Sequence, residues 1–571
     1  MTMSIILLCL PLAALPYVSR GAQFPLFPSE GAPVLPTGES GGEGYEFNWP
    51  INNVAIIGAG VSGLIAYREF VGAGFNRVRV FERDDVPGGN WHYTEQIPVD
   101  APIPNVDPSI GDFVPSLPPR GASLPVEEHY SDDTTSQRQR VHRAPKPVWE
   151  SLESNAPAPI QQITEIPWPP GTPWNLPHRT LSRYLRSFSS FHGINSNDES
   201  PDISYNTRVE LVEKRYDDGQ ERGWTLTLKR LERIGPHSSK ATWWTENFDA
   251  VVVATGRYNA PNIPGIPGLA AWARKLPGSV IHSRQYRHPQ PFINETVLVV
   301  GGATSGVEIS RELDLFAQNI YLSVRPGNYT QIPYQFSRMQ LQRLPANVSI
   351  VPEIKCFHAL NSSIELTNGS FLTDINRVIF ATGFRYSFPF LPQFHNSSPN
   401  ISTSPRPIVT DGTHLRSLHA DFIYIEEPTI GFLSMNWGMQ SFTYSEYLSL
   451  ALAKIWSRKA ILPGTAELWR IYEQRVQDRG GYGRHLQFLG AERTAANIRF
   501  FVGWLNDAAV RFGGRQIDGP WKDLDQISAV WVKAQYYPDS PEVQASPHAP
   551  YSLGHQETTN LFNGAMYGED W

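Results

Sequence analysis

The sequence predicts an α/β fold made of two Rossmann-type dinucleotide-binding domains, the second inserted into the first. Three observations carry this prediction. A short apolar strand, Val54 to Ile57, runs into Gly58-Ala59-Gly60-Val61-Ser62-Gly63, the G-x-G-x-x-G spacing. A second apolar run, Thr296 to Val300, turns at Gly301-Gly302-Ala303-Thr304-Ser305-Gly306. Two apolar strands further on end in Ala-Thr-Gly, at Ala254-Thr255-Gly256 and Ala381-Thr382-Gly383.

The chain opens on an almost continuous apolar run, Ile5 to Leu15, followed by Ser19-Arg20-Gly21. Small residues stand where a signal peptidase reads, although no Lys or Arg precedes the run, which is short for a membrane span. The expectation is a secretory signal over 1–21 and a secreted or ER-lumenal protein. Residues 22–50 are rich in Pro, Gly and Ser and read as a leader.

In the first unit Gly58 permits the tight turn, Gly60 lets a pyrophosphate approach the backbone, and Gly63 lets the following helix pack on the sheet. The phosphates then rest on a helix N-terminus. The next strand, Val78 to Phe81, ends in Glu82, nineteen residues after Gly63. That is where a dinucleotide ribose needs a carboxylate. Pro87-Gly88-Gly89-Asn90-Trp91 follows.

Prolines recur from residue 97 to 147 without helical or strand periodicity, which reads as a long loop insertion, a substrate-side cover or an interaction surface. Pro177 to Phe191 reads as a helix with Leu181, Tyr184, Leu185 and Phe188 on one face. Strand patterns follow at Val209 to Tyr216 and Trp224 to Leu231 and lead into the first Ala-Thr-Gly turn.

The second unit continues with a helix from Val307 to Phe316 and a strand from Ile320 to Val324. Ala303 stands at the middle-glycine position, so phosphate approaches slightly less closely. Arg325 ends the strand with Ser323 on the same face, and no acid stands there. A guanidinium suits a 2'-phosphate, which favours NADPH over NADH.

Composition bounds the partners. The 571 residues suffice for two or three domains. Basic residues number 48 and acidic ones 55, a net charge of -7 with no long run of either sign, so nucleic acid is not expected. No later stretch spans a membrane. Apolar content of 41% and 16 tryptophans indicate a globular chain. Cys9 leaves with the signal and Cys356 stands alone, so no disulfide framework exists and a buried, inert Cys356 is expected. Seven Asn-x-Ser/Thr sequons, at Asn294, Asn328, Asn347, Asn361, Asn368, Asn396 and Asn400, support passage through the secretory pathway. No H-E-x-x-H, Cys-rich metal spacing or G-x-S-x-G occurs, so no metal is expected and the chemistry must come from a cofactor.

The acid followed by G-G-x-W resembles the FAD-binding start of flavin-containing monooxygenases. Leu276 to Tyr286, "LPGSVIHSRQY", is similar to their F-x-G-x-x-x-H-x-x-x-Y/F fingerprint: Gly278, His282 and Tyr286 match, and Leu276 replaces Phe. Baeyer-Villiger relatives usually carry Trp at the last position, so Tyr286 leans away from them. Gly301-Gly302-Ala303 followed by Ser305 is similar to fungal members, as is "FFVGWLN" near Phe500. Val148 to Pro157, "VWESLESNAP", looks like the stretch that brings an asparagine, here Asn155, to the flavin. The turn ending in Gln440 resembles the family's flavin-side turn.

The resemblance implies an FAD domain in two parts, 51–260 with the 97–147 insertion and 378–571 with a C-terminal extension, flanking an NADPH domain over 261–377. It implies FAD bound by Gly58, Gly60, Gly63, Glu82, Gly89, Asn90, Trp91 and Gln440. NADPH falls to Gly301, Gly302, Ala303, Ser305, Gly306, Ser323 and Arg325. The implied cycle reduces FAD with NADPH, traps O2 as a C4a-hydroperoxyflavin that bound NADP+ shields and to which the Asn155 amide can donate, and transfers one oxygen to a small organic substrate such as a fungal polyketide pigment or other secondary metabolite. His282 is assigned to the interdomain link and not to proton transfer. Baeyer-Villiger insertion into a ketone, an H2O2-producing oxidase, and a non-catalytic flavoprotein in a biosynthetic complex remain alternatives, and a homodimer is compatible with all of them.

Overall fold

The computed structural model describes residues 44–517, except 110, 112, 170, 326–340 and 399–404. The expected signal peptide, the leader up to residue 43, the sequons at Asn328 and Asn400 and the C-terminal extension beyond residue 517 lie outside the described residues.

Strand β1 (Asn53–Ile57) is apolar and enclosed on both faces, as a central parallel strand must be. It turns into α1 (Val61–Ala73), which Gly74 ends in the left-handed region at φ 84°. Strand β2 (Arg77–Phe81) returns parallel to β1. After β3 (Val126–Ser131) and α2 (Thr135–Arg143) comes α3 (His178–Phe191), which buries the predicted face of Leu181, Tyr184, Leu185 and Phe188. Strand β4 (Ile203–Ser204) joins the edge of β2. The antiparallel run β5 (Thr207–Asp217), β6 (Gln220–Gly235) and β7 (Ser238–Phe248) then leads to β8 (Ala250–Val253), parallel to β1.

Strand β9 (Ala260–Pro261) and α4 (Leu269–Lys275) lead to β10 (Val280–His282), β11 (Thr296–Val300), α5 (Thr304–Leu313), β12 (Asn319–Ser323) and β13 (Val348–Val351). A small antiparallel sheet of β14 (Ile354–His358), β15 (Ser363–Leu366) and β16 (Phe371–Thr373) precedes β17 (Arg377–Phe380). Strands β10, β17, β11, β12 and β13 form, in that order, a wholly parallel five-stranded sheet. Because β17 pairs with both β10 and β11, the chain leaves this sheet only at Ala381, beyond the expected boundary at 377/378. After β18 (Phe384–Arg385), strands β19 (Leu418–His419), β20 (Ile423–Tyr424) and β21 (Ile430–Phe432) return to the first sheet, where β21 lies parallel to β8. Helices α6 (Ser441–Trp456), α7 (Thr465–Asp478) and α8 (Gly490–Phe512) close the described chain.

Helix α6 lies along α1. Ser62 meets Ser445 near their starts, and the rings of Phe70 and Trp456 stand 5.4 Å apart further on, so both helices run the same way. Each enclosed Phe or Leu on this seam is worth about 1.5–3 kcal/mol. The packing brings both helix N-termini to one end of the sheet, where β1 also ends.

The 97–147 stretch is not a free loop. Strand β3, with alternating half-buried and exposed residues, pairs antiparallel with β7 and makes a four-stranded sheet with β6 and β5. Its polar alternation between prolines hid an edge strand. Arg287, 5% exposed, holds both ends of the stretch. Its Nε–H donates to Thr94 O (2.9 Å), and its terminal nitrogens donate to the carbonyls of Gln96 (3.0 Å), Lys146 (3.1 Å), Arg284 (3.0 Å) and Tyr286 (2.9 Å). Burial lowers its pKa to about 10. Arg284 adds a bond to Val99 O. Cys356, expected buried, is half-buried in β14.

Candidate active site

The first glycine loop has almost no space to spare. Gly58 sits at φ 106°, and a Cβ there would meet Ala254 O at 2.8 Å, which is the Ala-Thr-Gly turn closing over the loop. A Cβ on Gly63 would lie 1.9 Å from Gly58 O. The Gly88 amide donates to Ala59 O (3.0 Å), so the P-G-G-N-W segment lies on the glycine loop. Gly89, at φ 55°, comes so close that a Cβ on it would stand 2.7 Å from Gly60 Cα. Asn90 reaches toward Gly256, and Trp91 is half-buried against the first core. Helix α1 starts at Gly60 with no side-chain cap and no acid in its first turn, so its leading N–H groups are free to bind an anion.

Glu82 is 4% exposed. Its Oε2 accepts from the Ala59 amide (2.7 Å) and its Oε1 from the Asp84 amide (2.9 Å), which aims the carboxylate at the loop and leaves lone pairs for ribose hydroxyls. No motif points to Lys146, whose Nζ lies buried 3.8 Å from both Glu82 Oε1 and Asp84 Oδ2. Only the folded insertion brings it there. Burial raises the pKa of Asp84, and the Lys146 charge opposes that rise. Asp84, Asp85 and His92 gather ligand atoms within 4.8 Å of one another. Lys146 already faces Asp84 and Arg143 pairs with Asp85 (2.7 Å), so cations of the chain serve this cluster.

Gln440 is the N-cap of α6, and its side chain makes no capping bond. The turn before it is firmly held. Ser434 Oγ and Ser62 Oγ both meet Ser445 Oγ (2.6 and 3.0 Å). Asn436 donates to the buried carboxylate of Asp421, which also takes Gln487 Nε2 (3.0 Å) and pairs with Arg475. Two uncapped helix starts, of α1 and α6, therefore lie side by side.

The second glycine loop repeats the first. Gly301 has φ 118°, with Ala381 O 2.6 Å from where a Cβ would stand, and a Cβ on Gly306 would be 1.8 Å from Gly301 O. Gly302 packs beneath Val324, and a Cβ on it would meet Val324 Cγ2 at 3.0 Å. Ala303 is the exposed N-cap of α5, again with no side-chain cap and no acid in the first turn, and Ser305 is half-buried within that turn. Strand β12 stops at Ser323, two residues before Arg325. The two do not share a face. Ser323 is buried and its hydroxyl donates to Pro352 O (2.9 Å), whereas the Arg325 side chain is 69% exposed and pairs through Nε with Glu353 Oε1 (3.0 Å). Ser323 thus supports the sheet end, and Arg325 alone presents a cation.

Asn155 is exposed between pinned neighbours. Ser154 and Ala156 are buried, the Ser154 amide donates to Leu176 O (2.8 Å), and Ser154 Oγ donates to Ala156 O (2.7 Å). Upstream, the Glu150 amide donates to Arg287 O (2.8 Å).

His282 is 0% exposed and both ring nitrogens are occupied. Nε2 bonds Gly383 O (2.9 Å), so it carries the proton, and Nδ1 accepts from the Arg284 amide (3.1 Å). Burial first, then the Arg284 charge, lowers its pKa to about 3. A neutral imidazole with no free lone pair ties the second Ala-Thr-Gly turn to the fingerprint and cannot serve as a base.

Comparison with known proteins completes the picture. A family model described as flavin-binding monooxygenase-like matches residues 137–357, and one for an NAD(P)-binding Rossmann-like domain matches residues 56–107. The chain is 57% identical over 491 residues to the flavin-containing monooxygenase iboF of Amanita muscaria (strain Koide BX008), covering 83% of this chain and 92% of that one. It is 28% identical to flavin-containing monooxygenase ustF2 of Aspergillus flavus, with 79% and 91% covered. Among solved structures, the S-allyl-L-cysteine S-oxygenase from Allium sativum superposes with a TM-score of 0.60 over 86% of this chain and 94% of that one, at 23% identity, which shows a shared fold.

Proposed function

The chain belongs to the flavin-containing monooxygenase family, and from that premise we propose that FAD occupies the first cradle, NADPH the second, and that together they deliver one oxygen atom of O2 to a small organic substrate. FAD and NADPH are the cofactors of an oxidoreductase of this family. The residues fit them: two tight glycine loops, each opening on an uncapped helix start. Gly58, Gly60, Gly63 and Gly89 admit the FAD pyrophosphate, Glu82 takes the ribose hydroxyls, and Asn90, Trp91 and Gln440 lie along the remainder. Gly301, Gly302, Ala303, Ser305 and Gly306 hold the NADPH phosphates. Arg325 faces the 2'-phosphate through the terminal nitrogens that Glu353 leaves free.

Bound NADPH supplies a hydride and bound FAD supplies O2 activation. The chain's part is to bind, orient and keep water out. The observation that carries the reading is Asn155. Its neighbours are buried and bonded, while its own amide has no hydrogen-bond partner among the described residues. An exposed amide held between pinned neighbours and without a partner among the described residues is available to a bound group. A neutral amide can hold activated oxygen without delivering an acidic proton, which lengthens the time available for transfer.

With His282 closed to proton transfer, oxygen transfer to a soft nitrogen or sulfur, which needs no added base, is favoured over insertion into a ketone. We place the enzyme in the secretory pathway. The apolar N-terminal run supports this, as do the exposed asparagines of four sequons, Asn294, Asn347, Asn361 and Asn368. Asn396 is half-buried, and among the described residues no helix is long and apolar enough to cross a membrane.

The test is anaerobic mixing of the FAD-loaded protein with NADPH, then with O2, while the flavin spectrum is followed. Rapid reduction and then a slowly decaying oxygenated spectrum, shortened by Asn155→Ala, is expected. Absence of reduction by NADPH would sink the proposal.

A further inference from the structure

The fingerprint's last residue, Tyr286, lies in the core of the second sheet. It is 1% exposed, packs its ring on Phe292 with centroids 5.8 Å apart, and donates its hydroxyl to Glu312 Oε2 at 2.8 Å. The other oxygen of Glu312 accepts from Trp149 Nε1 at 2.8 Å and from the Ser151 hydroxyl. The Trp149 and Tyr286 rings meet edge to face at 6.5 Å, and Trp149 is 8% exposed. Three donors from two distant segments therefore converge on one carboxylate. Burial first and then the Glu312 charge raise the pKa of Tyr286, so its hydroxyl remains a donor.

The placement of Glu312 gives this junction a function. It stands at the far end of α5, whose first turn forms the second cradle at Ala303 to Gly306. Nine residues of helix make a rod about 13 Å long. Trp149 and Ser151 stand in the segment that carries Asn155, four residues beyond Ser151, and Leu152 of that segment packs into the core of the second sheet. One end of the rod thus touches the nucleotide loop and the other grips the Asn155 segment.

We propose that Glu312 is a positioning residue that makes the Asn155 segment respond to nucleotide in the second cradle, so that oxygen is retained only while that cradle is filled. This rests on the reading that Asn155 faces the flavin and NADP binds at Ala303. Without Glu312 the segment loses its two hydrogen bonds from Trp149 and Ser151, and with them its tie to Tyr286, but keeps Ser154 and Ala156 buried. Asn155 then wanders, and NADPH, O2 and a proton yield NADP+ and H2O2 with the two electrons of the hydride passing to O2.

Two measurements on FAD-loaded protein test this. Hydrogen exchange of the backbone amides of 150–156 is expected to slow at least fivefold when NADP+ is added to the wild type and to be indifferent to NADP+ in Glu312→Ala. In air with NADPH and no organic substrate, H2O2 release by Glu312→Ala is expected to rise about tenfold. Anaerobic flavin reduction by NADPH should stay within twofold of wild type. Glu312→Gln, which can accept from Trp149 and donate to the Tyr286 oxygen, should restore most of the NADP+ response. Trp149→Phe offers the same test with a single bond removed. Unchanged NADP+ protection in both Glu312→Ala and Trp149→Phe would overturn the proposal, as would H2O2 release that rises only in step with lost FAD. Failure of the wild type to be reduced by NADPH would instead overturn the functional reading beneath it.

Discussion

The loop after Ile57 and the loop after Val300 make the same turn. In both, the first glycine is left-handed under an alanine carbonyl of an Ala-Thr-Gly turn, and the last glycine rests on the carbonyl of the first. They part at the middle position. Gly60 lies beneath the backbone of Gly89, whereas Ala303, its counterpart, is exposed. Among the described residues a second segment lies across the middle position of the first loop, while the middle position of the second is exposed. Ala303 is therefore compatible with a working nucleotide site, and the first cradle is the more enclosed of the two.

Six substitutions press on this comparison. The largest effect belongs to the shared geometry. Gly63→Ala and Gly306→Ala place a Cβ under 2 Å from a carbonyl oxygen, at an expected cost of at least about 3 kcal/mol each. Gly63→Ala should be isolated without flavin. Gly306→Ala should keep flavin absorbance and lose NADPH-dependent reduction at least 100-fold. Loss of flavin from both would show the cradles to be one cooperative unit.

Next comes the segment lying over the first loop. In urea unfolding of FAD-free protein, Gly89→Ala should destabilise by about 2 kcal/mol, from its left-handed backbone and the contact with Gly60. Gly60→Ala, whose Cβ would meet Gly89 Cα at an ordinary 3.6 Å, should change stability by less than about 0.5 kcal/mol. Equal losses would mean that the overlying segment does not distinguish the cradles.

The joint between the units titrates. His282 is about 3 when folded and near 6.5 unfolded, so its contribution is full above pH 6.5 and declines as pH falls toward 3. Between pH 7 and 5 this one group removes about 2 kcal/mol. His282→Gln should flatten the stability profile by that amount, read by denaturant unfolding at the two pH values. The smallest effect is expected of Ala303→Gly, at an exposed position, which should alter the KM for NADPH by less than about twofold.

How far the sequence could be read follows from the range of the interactions. The glycine loops, Glu82 and the helix face of Leu181 to Phe188 are local patterns, each legible from spacing within about twenty residues. Lys146 beside Glu82 and Trp149 beside Glu312 are joined across 64 and 163 positions, and no periodicity announces such pairs. Ser323 shows the opposite failure. The strand ended two residues early, so counting alternate positions placed a buried hydroxyl beside an exposed guanidinium.

Arg287 holds the carbonyls of Gln96 and Lys146 at one point, and forty-nine residues of chain run between them. In polymer terms the insertion is a ring whose closure is charged once, at the knot. Closure entropy grows only with the logarithm of contour length, so a ring twice as long would cost about 0.6 kcal/mol more. Here only the parts of the ring outside its pairing with β7 and its bond to Arg284 are at liberty to lengthen or be rewritten over evolutionary time, while β3 and Lys146 keep their places beside β7 and Glu82.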